Sequence, residues 1–152
     1  MKFGLDNGGF PFECGDAKLS LGTSTWNTRL SQLARVRGPV HIMTRQLVDL
    51  DYIGLILGKR AENIFILAHT SARTEAHVLK QRFPNVEFKL HPDNNAKVVL
   101  VAPETVWLTS EDFGKSTKTQ IDSGVGLHSS TAYELTLTKL FSPAWASAEM
   151  LF

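Results

Sequence analysis

Residues 63 to 69, "NIFILAH", hold an unbroken apolar run from Ile64 to Ala68. A half-exposed strand alternates apolar and polar side chains, whereas a run without alternation buries both faces and needs covering layers above and below. The flanking sequence offers those layers in alternation. "AKLSLGT" (17–23) reads as a strand. Ser24 or Thr25 can then cap a helix in which Trp26, Leu30, Leu33 and Ala34 recur at helical spacing, ended by Gly38 and Pro39. "PVHIMTR" (39–45) is a short apolar strand, and a helix follows from about 48 to 59 with Leu50, Ile53 and Leu57 on one face. After "NIFILAH", Ser71 caps "ARTEAHVLKQRF" and Pro84 stops it, and "VEFKL" (86–90) alternates as a strand near a sheet edge does. "AKVVLVA" (96–102), a turn at Pro103 and Glu104, and "TVWLT" (105–109) make a hairpin. "DSGVGLH" (122–128) is the last strand, and "SSTAYELTLTKLFSPAWASAEMLF" supplies one or two closing helices interrupted at Pro143. This order predicts an α/β sandwich with a mixed central β-sheet flanked by helices, as one domain over 1–152 with an irregular, Gly- and Phe-rich segment at 1–16.

Composition removes several functional classes. Sixteen basic and fifteen acidic side chains leave a net charge of +1, so attraction to nucleic acid has to come from a local patch. Cys14 is the lone cysteine, which excludes an internal disulfide and suits a small loop residue better than a reactive thiol. No apolar stretch reaches the roughly 18 residues that a bilayer span requires, and none resembles a signal peptide, so the expectation is a cytoplasmic protein without membrane contact. The histidines at 41, 69, 77, 91 and 128 show no metal-ligand spacing. "FGKST" lacks the glycine five places before Gly114, where Thr109 stands, and "GVG" at 124–126 has Ser129 in place of a third fingerprint glycine. Neither is a nucleotide-binding loop.

The remaining chemistry lies in "NNAKVVLVAPETVWLTSEDFGKS" (94–116). Asn95, Ala96 and Lys97 are followed by Ala102, and the hairpin returns to Thr109, Ser110, Glu111 and Asp112. This run, with the alternating elements of residues 39 to 151, resembles the phospholipase D superfamily, in particular its short single-motif nucleases. Their signature is H-x-K-x-x-x-x-D followed by a hairpin and G-S-x-N. Lys97 and Ser110 match it, Asp112 is chemically close to the asparagine, and the histidine and aspartate positions hold Asn95 and Ala102. The resemblance implies a phospholipase D-like fold and a homodimer, because two histidine-lysine pairs meet around one phosphodiester in that family. It also implies a metal-independent endonuclease or phosphodiesterase chemistry with no cofactor. One histidine attacks phosphorus to form a phosphohistidine, the other protonates the leaving oxygen, and the lysines with the Ser and Asn side chains hold the phosphoryl oxygens.

Asparagine has no nucleophilic nitrogen and does not titrate near neutrality, so a chain with Asn95 is expected to bind phosphate without cleaving it. Two accounts of Asn95 stand side by side. A silenced nuclease scaffold is favoured by the persistence of Lys97, Ser110 and the hairpin. A natural pseudoenzyme binding nucleic acid, a nucleotide or a protein is favoured by the loss at Ala102, for which Asp122 or Glu104 could substitute. A lipid or cyclic-nucleotide phosphodiesterase is the remaining reading, against which the lack of a membrane-surface helix counts. Asp112 brings a carboxylate toward a phosphate, which opposes binding unless it is paired with Lys97 or Lys115. For DNA or RNA, Arg45, Arg73, Lys80, Arg82, Lys115 and Lys118 are candidate backbone contacts, with Trp107 or Phe113 as stacking residues.

Overall fold

The structure, a computed structural model, describes residues 1–22, 26–114 and 120–152. Its elements in chain order are β1 (Ala17–Gly22), α1 (Trp26–Arg29), β2 (Val40–Met43), β3 (Leu47–Val48), α2 (Leu50–Leu57), β4 (Ile64–His69), α3 (Arg73–Arg82), β5 (Glu87–His91), β6 (Val98–Val101), β7 (Thr105–Thr109), β8 (Phe113–Gly114), β9 (Asp122–His128), α4 (Ser130–Thr136), α5 (Ser142–Ala146) and β10 (Glu149–Leu151). Eight strands form one mixed sheet in the order β1-β9-β7-β6-β2-β4-β5-β10, and β3 pairs with β8 separately. β2, β4 and β5 run parallel, with the other neighbours antiparallel. The carboxyl ends of β2, β4, β5 and β7 and the amino ends of β6 and β9 therefore share one rim.

Alternation along the strands divides the core in two. On one side Trp26, Ile53, Ile66, Phe88, Val99 and Phe113 pack together. On the other, Met43, Leu67, Leu100 and Val106 meet Tyr133 of α4 and Phe141. "NIFILAH" serves both layers from the middle of the sheet, with Ile66 in the first cluster and Leu67 in the second, as its unbroken apolar character demands.

Several elements differ in detail from expectation. The helix read over Trp26 to Ala34 is a single turn, Trp26–Arg29, followed by irregular turns. Leu30 and Leu33 are still buried. Tertiary anchors override periodicity here: the Trp26 indole N–H donates to the Asp112 carbonyl at 2.8 Å, and the Arg29 side chain turns inward. The caps Ser24 and Thr25 lie outside the described residues. The helix of 48–59 shortens to Leu50–Leu57, because Leu47 and Val48 pair with β8 and Asp49 takes the capping position, its carboxylate accepting from Tyr52 N–H. Ser71 does not cap α3. The His69 ring accepts the Ser71 N–H at the start of a short turn over Thr70–Ala72. The closing helices run on through a widened turn, in which Ser142 N–H reaches the Leu137 carbonyl five residues back and Pro143 enters α5 at its first positions. They then give way to β10, which was read as helix. β5 lies one strand in from the edge, and β10 is that edge.

Candidate phosphodiester site

The motif residues gather at the shared rim. Thr109 N–H donates to the Lys97 carbonyl at 3.2 Å, and Ser110 N–H donates to the Ser123 carbonyl at 2.9 Å. The entry to β6, the exit of β7 and the start of β9 are thereby laid side by side. Lys97 is half-buried, and among the described residues its ammonium has no hydrogen-bond or ion-pair partner. Asn95 is exposed just before β6, whose paired portion begins only at Val98. The two asparagines divide their roles. Asn94 is buried and donates to the Thr44 carbonyl at 2.7 Å, tying this segment to the exit of β2, while Asn95 stands outside.

Asp112 has a structural task. Its Oδ1 accepts from Arg45 N–H at 2.9 Å and Gln46 N–H at 3.1 Å, clamping the turn after β2, while Thr44 Oγ1, 3.1 Å away, has the Gln46 carbonyl as its nearer acceptor at 2.7 Å. Among the described residues Asp112 makes no ion pair with Lys97. Lys115 lies outside the described residues, as does Lys118, and two backbone amides of the turn donate to Oδ1.

Ser110 rests on a carboxylate that the family motif alone does not mark. Its hydroxyl donates to Asp122 Oδ1 at 2.9 Å and accepts the Ser123 N–H at 3.0 Å. A hydroxyl has one proton. A phosphate oxygen can receive it only by displacing Asp122. Ala102 and Glu104, by contrast, lie at the far end of the hairpin, roughly 15 Å from Lys97 by strand rise. Ala102 N–H bonds the Pro39 carbonyl there, and Ser129 N–H bonds the Glu104 carbonyl. Asp122, not Glu104, is the carboxylate at the rim.

Beneath Ser110 is a charge cluster invisible to motif reading. Arg29 Nη1 lies 3.6 Å from Glu111 Oε2, with side chains only 1% and 3% exposed. The guanidinium sits between the rings of Trp26 and Trp107, at 5.5 and 5.8 Å. Burial pushes the Glu111 carboxyl above its ordinary range despite the attraction of Arg29, with nearby Asp122 adding to the rise. Burial likewise lowers Arg29, opposed by Glu111. The usable signal in the sequence was Glu111 itself, a charged residue inside a motif at the mouth of an apolar strand.

The other candidates are largely spent on the fold. Trp107 is 9% exposed and Phe113 fully buried, so neither stacks a base, and this expectation is corrected. Both rings belong to the first core cluster, Trp107 from β7 of the main sheet and Phe113 from β8 of the small one. Arg73 makes a bidentate pair with Glu149 at 2.9 and 2.8 Å. Lys80 caps the end of α3 by donating to the Pro84 and Val86 carbonyls, and the Arg82 guanidinium lies over the Phe83 ring. Arg45 remains, exposed beside Asp112. His91 lines a cavity of about 280 Å³ with Asn95, Asn94 and Met43. It does not replace the missing nucleophile, because Nδ1 accepts from Asp93 N–H and Nε2 contacts Ser147 Oγ. Among the described residues no cluster of His, Cys, Asp and Glu suits a metal ion.

Comparison with known proteins places the architecture. No protein-family model matches the chain, and no curated protein does. Solved structures match over most of its length. Nuc from Salmonella typhimurium, a phospholipase D family member, superposes with a TM-score of 0.72 at 14% identity, covering 90% of this chain and 99% of that one. NucT from Helicobacter pylori gives 0.68 at 15% identity, covering 90% and 100%. TrmBL2, an archaeal chromatin protein with a novel mode of DNA binding, gives 0.62 at 13% over 94% of this chain and 56% of its own. The chain has the phospholipase D-like fold, a mixed α/β sheet flanked by helices. No described helix is long and apolar enough to cross a membrane.

Proposed function

We propose that this chain binds the phosphodiester backbone of DNA or RNA on a nuclease-type scaffold, as a homodimer, and that Asn95 blocks the cleavage such a scaffold performs without metal. One observation carries the reading: Lys97, with its ammonium unpartnered among the described residues, is hydrogen-bonded through its backbone to the residue preceding Ser110. A cation and a hydroxyl on adjacent strand ends form an anion cradle, and Arg45 adds charge at the same rim. At Asn95 an amide offers a hydrogen bond to phosphate but cannot attack it.

The test is Asn95→His, assayed on plasmid and oligonucleotide with EDTA present. Cutting is expected to appear in this variant and to vanish in Asn95→His/Lys97→Ala. A second reading, a binding module without chemistry, is favoured by Ser110, whose only proton goes to Asp122. If Asn95→His binds oligonucleotide and stays inert, that second reading replaces the first. Absence of any phosphodiester binding by the chain as it stands sinks both.

A further inference from the structure

The rim that carries Lys97 and Ser110 also holds the small cavity beside Asn95. It lies between the carboxyl ends of β2 and β5, the segment entering β6, and α5, and has a volume of about 280 Å³. Clefts for drug-sized molecules run from about 300 to 1,000 Å³, so this one suits a single planar ring system rather than a whole nucleotide. Met43, Leu140 and Ala144 give it an apolar wall against which the face of a nucleobase can lie. The polar edge of such a base then needs partners. Four polar side chains line the remainder, and two of them are already committed. His91 Nδ1 accepts the Asp93 N–H at 3.0 Å, and Nε2 contacts Ser147 Oγ at 3.0 Å. Asn94 donates to the Thr44 carbonyl at 2.7 Å and accepts the Ala96 N–H at 3.3 Å. Asp93 and Asn95 are exposed, and among the described residues neither side chain has a hydrogen-bond or ion-pair partner.

We propose that this cavity takes one unpaired guanine next to the bound phosphodiester, and that Asp93 is the residue that selects it. The inference rests on the phosphodiester reading above and deepens it by naming the base that is read. A carboxylate accepts at both oxygens. Guanine alone among the bases sets two N–H donors side by side on its Watson–Crick edge, N1–H and the N2 amino group, and so meets both oxygens at once. Thymine and uracil present one N–H between two carbonyls, which a carboxylate repels. Adenine and cytosine present an amino group beside a ring-nitrogen lone pair, which leaves one carboxylate oxygen facing another acceptor. The Asn95 amide has two N–H donors, one for a phosphate oxygen and one for the guanine O6. A Watson–Crick edge is open only where the base is unpaired, so the cavity reads single strands, loops or a base turned out of the helix. The charge of Asp93 also repels the backbone phosphates, but it does so for every sequence alike. Charge and base reading therefore separate: the first moves all affinities together, the second moves their ratio.

The test is fluorescence-anisotropy titration of the full chain, with Asn95 in place, against single-stranded dodecamers that are all thymidine or carry guanine or hypoxanthine at alternate positions. The guanine strand is expected to bind about fivefold tighter than the thymidine strand, or more. Hypoxanthine, which lacks the N2 amino group, is expected to fall between them, and annealing each strand to its complement to erase the preference. Asp93→Asn, a change at an exposed position, is expected to bring the guanine-to-thymidine ratio close to one without weakening the thymidine strand. Ala144→Leu, which fills the cavity from α5, is expected to lower the ratio as well. A ratio near one in the unaltered chain, or a preference that Asp93→Asn leaves in place, overturns the guanine cavity while binding itself keeps the phosphodiester reading standing. No binding of any strand at low salt removes that reading, and the cavity's role with it.

Discussion

His41 illustrates how a single burial becomes a pH dependence. Its ring stacks on Phe65 at 5.0 Å and meets the edge of Phe141 at 4.6 Å, and its Nδ1 is buried without a hydrogen-bond partner. Burial lowers its pKa from 6.5 to about 4. The charged form is the one disfavoured in the folded state, so the unfolded chain binds the proton first as pH falls. Stability attributable to this group is fully present above 6.5 and is lost as pH drops toward 4, by on the order of 3 kcal/mol. Denaturant melts between pH 7 and pH 4 are expected to show this slope, and His41→Phe to flatten it. An unchanged slope in His41→Phe would assign the acid sensitivity elsewhere.

At the scale of elements, Asp112 is the pin between the turn after β2 and the strand ends that carry the motif. Two backbone amides converge on one oxygen, and the same residue's carbonyl receives the Trp26 indole. What the turn needs is an acceptor rather than a charge. Asp112→Asn is therefore expected to hold stability within about 1 kcal/mol, while Asp112→Leu, which strands the donors, costs about 2–5 kcal/mol. Urea unfolding of the two variants decides. Equal losses would mean that the charge itself matters. Asp112 thus serves a neighbouring turn through hydrogen bonds, a partnership more than sixty residues away in sequence.

For the whole molecule, a near-neutral chain with two described cations at the rim, Arg45 and Lys97, should bind nucleic acid weakly and with a shallow salt dependence. Two copies neutralising two to four phosphates predict a slope of log K against log salt of about −2 to −4 on duplex DNA. Titration by fluorescence anisotropy across salt concentrations measures it. A slope near −8 would place the binding surface elsewhere and break the link between Lys97 and the ligand.

The α/β alternation, the buried central strand, the hairpin and the strand over Asp122–His128 were all legible in the sequence, because hydrophobic periodicity and Gly/Pro punctuation are local. Other features were not legible. β10 is three residues long, too short for any period, and becomes a strand only because β5 offers it an edge. Trp107 and Phe113 could be read from sequence as stacking or as core residues, and only the packing assigned them to the core. Arg29 and Glu111, eighty-two positions apart, meet only once the chain is folded, and Ser110 reaches Asp122 across a strand junction. The sequence by itself determined which residue types stand at the proposed cradle, above all that position 95 is an asparagine, whose amide is not a nucleophile. The tertiary structure alone decided which of them are free to act, since a proton or a charge already given to a distant partner is not available to a ligand.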